Sequence, residues 1–213
     1  MNPTDENDSP MSAPPERCGS SLSECQSPGT LFAVVGPSGV GKDSIIDGLR
    51  RCFKDQDSVS FPIRWITRPA DAGGEIHHPL DMSEFEEKCA RGHFCLHWSA
   101  HGLAYGVGQE AFHTVSNGAA AVVNVSRAVL DDARVKFTNV VVLSITADET
   151  VLRYRLTNRG RAADGDLEAR IRRAAQFTVV GDDVVTIAND CTLAEAVLEC
   201  EKLIKLSFAD RST

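Results

Sequence analysis

The hydrophobic residues of this chain fall into short apolar runs that alternate with longer amphipathic segments. Largely apolar runs, typical of buried strands, occur at 31–35, 119–125 and 140–145, and looser strand patterns at 59–67, 93–100 and 183–189. Apolar residues with helical spacing lie between them, at 43–53, 83–92, 146–160, 166–177 and 192–204. Strands separated by helices, several of them wholly apolar, predict an α/β fold with helices on both faces of a parallel sheet.

Three helical segments begin with a hydroxyl residue that is followed three positions later by glutamate. These pairs are Ser83–Glu86, Thr146–Glu149 and Thr192–Glu195. In a capping box the two side chains accept hydrogen bonds from each other's backbone N–H groups, which a helix start leaves without partners. We therefore expect a helix to begin beside each pair.

The composition indicates one globular domain behind an acidic N-terminal segment. A chain of 213 residues with 42% hydrophobic content can bury one sizeable core, and we place this domain at 30–207 with a short tail at 208–213. Residues 1–29 hold five acidic residues against one arginine, are rich in proline and serine, and contain few apolar residues. This composition predicts a disordered acidic tail.

Charge, hydropathy and cysteine usage bear on partners and location. The net charge of -8 argues against nucleic-acid binding, which needs basic surfaces. The sequence has no apolar run long enough to cross a bilayer and no basic segment leading into an apolar one at its start, so we expect neither a membrane span nor a secretory signal. The seven cysteines form no C-x-x-C pair, which is typical of reduced thiols. Together these features predict a cytoplasmic protein.

The segment "GPSGVGKDS" follows the first apolar run and precedes the first amphipathic helix, the position of a phosphate-binding loop (P-loop). Its glycines let successive N–H groups point at an anion, its lysine supplies a point charge for the β- and γ-phosphates, and the helix presents its N-terminus to them. The predicted ATP-binding residues are Gly36, Pro37, Ser38, Gly39, Val40, Gly41, Lys42, Asp43 and Ser44.

Asp43 occupies the position that usually carries the hydroxyl ligand of Mg²⁺. Ser44 supplies a hydroxyl one residue later, and a carboxylate at a helix start is itself stabilised by the helix dipole. Asp43 is thus either a simple helix-start acid or a ligand of Mg²⁺, directly or through water. We predict Asp43 and Ser44 as the metal-binding residues and Mg²⁺, with ATP, as the cofactor.

From about Leu31 to Leu206 the sequence resembles guanylate kinases. That family follows the P-loop with T-R-x-x-R-x-G-E, and "TRPADAGGE" keeps the first phosphate-binding arginine as Arg68 but has Asp71 at the second. The glutamate that reads guanine in the family is replaced by His97, whereas the phosphate-facing tyrosine remains as Tyr105. The resemblance implies a phosphate-ester acceptor, and the loss of the base-reading carboxylate implies an acceptor without guanine.

One branch of the guanylate kinase-like proteins is similar in longer stretches. The segments "ITRPADAGGE" and "HWSAHGLAYG", together with "GKDS", "VVNVSR" and "DVVTIAN", resemble the ribose 1,5-bisphosphate phosphokinases of phosphonate catabolism, where aspartate belongs to the P-loop motif. This resemblance implies ATP and a sugar bisphosphate as partners and 5-phospho-α-D-ribose 1-diphosphate as product. It implies a P-loop kinase fold of three layers with a small acceptor-binding insertion, and it leaves open whether the protein is a monomer or a homodimer.

Seven arginines and no lysine lie within residues 153–173. The planar guanidinium group suits bidentate phosphate contacts, and the intervening "GRAADGD" resembles the mobile lid of nucleoside monophosphate kinases. We predict a lid at about 155–170. By family position the catalytic residues are Lys42, Arg155, Arg159 and Arg170. Three others, Arg153, Arg172 and Arg173, are predicted to lie on a solvated helix face.

The acceptor site is predicted within residues 59–118 and at the end of the strand that follows. Its expected residues are Arg68, Tyr105, His97, His101 and Asn124, with Glu75 and Asp71 as weaker candidates for the ribose hydroxyls. Arg64 is either an assistant to Arg68 or a surface charge, and His77 is expected on a loop or the surface. The spacing of His93, His97 and His101 would suit zinc on a helix, but the strand character of this segment argues against a metal site.

Two other functions fit part of the sequence. The first is a guanylate kinase-like nucleotide kinase with a different acceptor, against which the replacements at His97 and Asp71 argue. The second is a non-catalytic interaction module that uses the same cleft to bind proteins. Such modules typically lose the P-loop lysine, which this chain retains as Lys42.

Overall fold

The computed structural model describes residues 28–70, 75–158 and 167–209. Its strands are β1 Leu31–Val35, β2 Val59–Ser60, β3 Trp65–Ile66, β4 His78–Pro79, β5 Phe94–Ala100, β6 Leu103–Gly108, β7 Ala120–Asn124, β8 Val140–Thr146 and β9 Val184–Ala188. Its helices are α1 Lys42–Cys52, α2 Met82–Ala90, α3 Gln109–Ser116, α4 Leu130–Lys136, α5 Glu149–Asn158, α6 Leu167–Ala175 and α7 Leu193–Ala209, and a 3-10 turn, Arg127–Val129, precedes α4. Residues 1–27 of the predicted acidic tail, Asp71, Arg159 and the centre of the predicted lid lie outside the described residues.

The main sheet has five parallel strands in the order β2-β7-β1-β8-β9. All five residues of β1 are buried, and alternate side chains face opposite sides of the sheet. Phe32 and Val34 pack against α1 and α7, whereas Leu31, Ala33 and Val35 pack with α3, α4 and β5. Helices therefore cover both faces of a parallel sheet, and the predicted α/β fold is confirmed.

A second, four-stranded sheet in the order β4-β3-β6-β5 forms the insertion beside the main sheet. Strands β5 and β6 make an antiparallel hairpin whose turn contains His101 and Gly102, both with positive φ. Strand β3 pairs antiparallel with β6 and parallel with β4. Residues 67–70, after β3, and residues 75–77, before β4, therefore lie at one edge of this sheet.

The prediction of one continuous strand at 59–67 was wrong. Its first two residues, β2, pair with β7 in the main sheet, whereas β3 belongs to the second sheet. Pro62, between them, has no N–H to donate to a ladder, and the chain crosses here from one sheet to the other. This crossing carries the next residues to the edge of the P-loop.

Of the three predicted capping boxes, one is present at the start of its helix. At α7 the Thr192 N–H donates to the Glu195 carboxylate and the Glu195 N–H to the Thr192 hydroxyl, as expected. At α2 the box is formed by Asp81 and Glu84 instead, two residues earlier. The third prediction failed because the Thr146 hydroxyl lies at the end of β8 and donates to the carbonyl of Ile187 in β9. Within the described ranges, no helix combines the length and apolar character needed to cross a bilayer.

Candidate active site

The P-loop runs from the end of β1 to the start of α1, at the C-terminal edge of the parallel sheet, where ligands of such folds bind. Gly39 and Gly41 adopt φ values of 88° and 101°, which residues with a Cβ rarely adopt. A Cβ at Gly39 would stand 2.5 Å from Leu156 Cδ2, and one at Gly41 would stand 2.5 Å from Asn189 Nδ2. The loop is therefore tightly enclosed by α5 and by the residue after β9.

Lys42 is the first residue of α1 and its side chain folds back over the loop. The ammonium group donates hydrogen bonds to the carbonyl oxygens of Gly36, at 2.7 Å, and Pro37, at 2.9 Å. The first turn of a helix leaves its N–H groups without intrahelical acceptors, and the helix dipole places partial positive charge there. The lysine and the helix start thus concentrate positive charge on the concave side of the loop.

Two of the predicted catalytic arginines lie at the P-loop. Arg155, on α5, donates from Nη1 to the Val40 carbonyl at 3.3 Å, and Arg170, on α6, donates from Nη2 to the Ser38 hydroxyl at 2.9 Å. Arg159 lies outside the described residues. The two helices that bear these arginines pack against each other through Leu152, Leu156 and Ile171. This apolar contact fixes the positions of the two helices, and with them of both arginines, relative to each other.

Arg153 has a different environment, in agreement with its predicted solvated position. Its guanidinium group pairs with Glu149 on its own helix, at 3.0 Å, and with Glu168 on α6. These hydrogen bonds, first that of Glu168, raise the pKa of Arg153 above its usual range. Arg153 thus links α5 to α6 and is engaged away from the P-loop.

Asn189, directly after β9, was not predicted as a functional residue. It is 2% exposed, its Nδ2 donates to the Val40 carbonyl at 2.8 Å, and its Oδ1 has no hydrogen-bond partner within the described part of the chain. The signal for it was the "TIAN" segment of the resemblance, which carried no role for the asparagine. Its contact with the loop carbonyl makes it a positioning residue for the P-loop.

A cleft of about 430 Å³ opens beside the P-loop, between α1 and the second sheet. Its charged lining comprises three arginines and three carboxylates, Arg50, Arg64, Arg68, Asp43, Asp47 and Glu75. Asp43 belongs both to the loop and to this cleft, and its Oδ1 accepts a hydrogen bond from Asn124 Nδ2 at 2.9 Å. Asn124 is the last residue of β7, and the P-loop follows the neighbouring strand β1. The ends of these two strands therefore bring the P-loop and the cleft together.

Arg64 is buried in the wall of this cleft, so the interpretation of it as a surface charge is excluded. It is 8% exposed, and its Nε donates to Glu75 Oε2 at 3.2 Å. Its guanidinium carbon lies 5.8 Å from the ring centre of Trp98 and 5.5 Å from that of Tyr105. These two rings are stacked, with centroids 5.3 Å apart and an angle of 4° between their planes. Burial raises the pKa of Tyr105, against a lowering effect of the nearby Arg64 and Arg68.

Arg68 lies two residues after β3 and contacts His77, which precedes β4. The Nη2 of Arg68 lies 3.3 Å from His77 Nδ1, and His77 Nε2 lies 3.0 Å from the Arg68 carbonyl oxygen. The Nε of Arg68 is buried without a hydrogen-bond partner in the described ranges. His77 lies on a loop, one of the two positions expected from the sequence, and it is half-buried there.

The structure does not bring His97 or His101 to the cleft. In β5 the side chain of Trp98 faces Tyr105 and Arg64, so the adjacent His97 projects from the opposite face. There it meets the edge of Phe85 in α2, with ring centroids 6.5 Å apart. His101 is exposed at the tip of the hairpin. Strand alternation thus removes His97, and its place at the hairpin tip removes His101, from the set of residues that can contact an acceptor in this cleft.

The residues around the P-loop fit a cation that is held chiefly by phosphate oxygens and water. No group of three or more histidine, cysteine, aspartate or glutamate side chains among the described residues is arranged to hold a metal ion. Asp43 and Ser44, in the first turn of α1, offer one carboxylate and one hydroxyl. Mg²⁺ is commonly bound by one or two carboxylates together with the phosphates of its substrate.

Comparisons with known proteins agree with this geometry. The family model described as guanylate kinase matches residues 29–205. Ribose 1,5-bisphosphate phosphokinase PhnN of Thiobacillus denitrificans is 39% identical over 187 residues, which cover 87% of this chain and 97% of that protein. A bifunctional ribose 1,5-bisphosphokinase-thymidine phosphorylase of Roseobacter denitrificans is 40% identical over 83% of this chain, which spans only 26% of that longer protein.

Among solved structures, guanylate kinase from Anaplasma phagocytophilum has the same fold. The match has a TM-score of 0.56 and 19% sequence identity, and it covers 85% of this chain and 87% of that one. The sequence match over most of the chain, together with the P-loop and the adjoining cleft, settles the family. The chain belongs to the guanylate kinase family of P-loop kinases, within the group whose members are named ribose 1,5-bisphosphate phosphokinase.

Proposed function

We propose that this protein transfers the γ-phosphoryl group of ATP to the 1-phosphate of ribose 1,5-bisphosphate, giving ADP and 5-phospho-α-D-ribose 1-diphosphate. The names of relatives about 40% identical support this reaction. The observation that carries the proposal is the charged lining of the cleft beside the P-loop, which contains three arginines and three carboxylates. Such a lining suits an acceptor that has both phosphate and hydroxyl groups and no base to recognise.

The reaction needs positioning and charge neutralisation more than proton transfer. An oxygen of the sugar 1-phosphate attacks the γ-phosphorus, the bond from that phosphorus to the β–γ bridging oxygen breaks, and ADP leaves. A phosphate monoester has a second pKa near 6, so the attacking group is already mostly dianionic at neutral pH and requires no general base. The rate then depends on holding two anions in line and compensating their charge.

On the donor side, the P-loop N–H groups, Lys42 and the N-terminus of α1 would hold the triphosphate. Arg155 and Arg170, which already contact the loop, would compensate charge on the transferred group, as would Arg159 by family position. Mg²⁺, held by Asp43 and Ser44 with the phosphates, would neutralise the β- and γ-oxygens. The hydrogen bond from Asn124 fixes the orientation of the Asp43 carboxylate for this role.

On the acceptor side, Arg68 would bind the 5-phosphate and Tyr105 would contribute its hydroxyl group. Arg64 is engaged with Glu75, which leaves that carboxylate oriented in the wall of the cleft, where its oxygens would accept hydrogen bonds from ribose hydroxyls. His97 and His101 are left out of the proposed site because they lie away from the cleft. We further propose a cytoplasmic location, consistent with the five cysteines in the described ranges being free thiols.

The direct test is identification of the product by phosphorus NMR after incubation with ATP, Mg²⁺ and ribose 1,5-bisphosphate. We expect a diphosphate on the sugar in equal amount to ADP, and no ADP formation with GMP as acceptor. The Lys42→Ala variant should bind ATP more weakly and show little turnover. Turnover of GMP in place of the sugar would favour the nucleotide kinase, and equal ATP binding by wild type and Lys42→Ala would favour the interaction module.

A further inference from the structure

The half-buried His77 joins the two ends of the loop that presents Arg68 and Glu75 to the cleft. Its Nε2 lies 3.0 Å from the Arg68 carbonyl oxygen, and its Nδ1 lies 3.0 Å from the Glu75 carbonyl oxygen and 3.3 Å from Arg68 Nη2. Strands β3 and β4 pair in parallel directly beside it, with Trp65 opposite His78. One imidazole ring therefore touches both the backbone and the guanidinium group of Arg68.

Hydrogen-bond chemistry limits the proton positions on this ring, because the two carbonyl oxygens only accept and the Arg68 guanidinium only donates. A neutral ring with its hydrogen on Nε2 donates to the Arg68 carbonyl and accepts from Arg68 Nη2 at Nδ1, and it leaves only the Glu75 carbonyl contact without a hydrogen. A hydrogen on Nδ1 would satisfy the Glu75 carbonyl but would face the N–H of Arg68 Nη2, so we assign the form with the hydrogen on Nε2. The Arg68 Nε is buried without a partner in the described ranges, and the Arg68 side chain lines the cleft.

We propose that His77 is a positioning residue for the acceptor phosphate, which holds the Arg68 guanidinium at Nη2 and so keeps this side chain in the lining of the cleft. This rests on the function proposed above. A free arginine side chain samples many rotamers, and fixing it in one of them costs rotamer entropy. Orientation before binding removes part of this cost from the binding step, which favours affinity. His77 itself touches no substrate.

The competing explanation is that His77 only fastens the base of the loop through its Nε2 contact. Two substitutions separate these roles, because the side-chain amide of each variant takes the place of a different nitrogen of the imidazole ring. In His77→Asn the side-chain oxygen replaces Nδ1 and can accept from Arg68 Nη2. In His77→Gln the side-chain nitrogen replaces Nε2 and can donate to the Arg68 carbonyl, but nothing then faces the guanidinium group.

We expect His77→Gln and His77→Ala to raise the KM for the sugar bisphosphate by about tenfold, the loss of one hydrogen bond to a charged group. The kcat and the KM for ATP should change little, because this contact acts equally in the ground and transition states. His77→Asn should stay within about threefold of wild type. His113→Ala, on the exposed surface of α3, is the control that should leave all constants unchanged.

A readout without turnover keeps this proposal separate from the proposed function. In protein labelled with ¹⁵N-arginine, the Arg68 guanidinium signals, assigned with Arg68→Lys, should show slow rotation in wild type and His77→Asn and fast rotation in His77→Gln. If wild type fails to phosphorylate ribose 1,5-bisphosphate, the proposed function fails, and the NMR comparison still decides the role of His77. The opposite pattern would overturn the proposal in favour of the structural role. In that pattern His77→Gln keeps the slow guanidinium rotation or the wild-type KM for the sugar bisphosphate, and His77→Asn loses it.

Discussion

The buried ion pair of Arg64 and Glu75 should make the cleft wall unusually sensitive to single substitutions. Glu75→Leu removes the carboxylate that faces a guanidinium group only 8% exposed. Breaking a fully buried pair by removing one partner typically costs about 3–5 kcal/mol of stability, because the other charge stays buried without compensation. The Glu75 side chain is 19% exposed, and Arg64 keeps two aromatic rings within 6 Å, so the expected loss is smaller.

We expect Glu75→Leu to lower the free energy of unfolding by about 2 kcal/mol, after allowing for solvent access and cation–π contacts. For a domain of this size, that corresponds to a fall in Tm of about 4–8 °C. Equilibrium urea unfolding, followed by tryptophan fluorescence, measures the change directly. Trp98 reports on the site because the Arg64 guanidinium lies over its ring.

The double variant Arg64→Met/Glu75→Leu is the decisive comparison. Replacing both members of a buried pair by apolar residues of similar volume is often neutral or stabilising, so the double variant should recover most of the lost stability. It should not recover acceptor binding, because the oriented carboxylate is still missing. A Glu75→Leu loss under about 0.5 kcal/mol, or a double variant no more stable than the single one, would refute the reasoning.

Three further predictions concern the P-loop and the core. Gly41→Ala should raise the KM for ATP severalfold, because φ is 101° and the new methyl group would lie 2.5 Å from a buried amide nitrogen; steady-state kinetics checks this. Asp43→Ala should raise the Mg²⁺ concentration needed for half-maximal rate, measured by titration at fixed ATP. Burial raises the pKa of Cys95 to about 11 and that of Cys200 to about 12, from 9.0. The folded protein therefore keeps protons that the unfolded chain loses, so the free energy of unfolding should fall as pH rises from 9 to 11.

Each of these predictions has a result that contradicts it. Unchanged ATP kinetics in Gly41→Ala would mean that the loop relaxes around the added methyl group. An unchanged Mg²⁺ titration in Asp43→Ala would leave this residue as a helix-start acid held by Asn124. Rapid labelling of Cys95 and Cys200 by a thiol reagent at pH 8 in the folded protein would contradict their burial.

The local signals in the sequence predicted much of the main sheet and its first loop. The strand-loop-helix order around "GPSGVGKDS" follows from neighbouring residues alone, since an apolar run, glycines and an amphipathic stretch act over a few positions. The same holds for the Thr192 capping box, whose two partners are three residues apart. Strand β6 and helices α3 and α4 were not predicted, because their short patterns depend on packing against other elements.

The candidate site was predictable by residue type but not by arrangement. Lys42, Arg68, Arg155 and Arg170 were singled out from the motif and the resemblance, and their roles remain predictions. The sequence offered no reason to separate His97 from Tyr105, which lie close in the motif but on opposite faces of one hairpin. It also treated His77 as peripheral, although its ring touches Arg68.

The sequence by itself determined a P-loop between an apolar strand and a helix, and a family of phosphate-transferring enzymes. Only the tertiary structure decided which side chains line the acceptor cleft. The reason is that strand pairing brings together residues far apart in the chain, such as Asp43 and Asn124, 81 positions apart. Strand alternation then sends each neighbouring side chain to a different face, and neither effect leaves a local trace in the sequence.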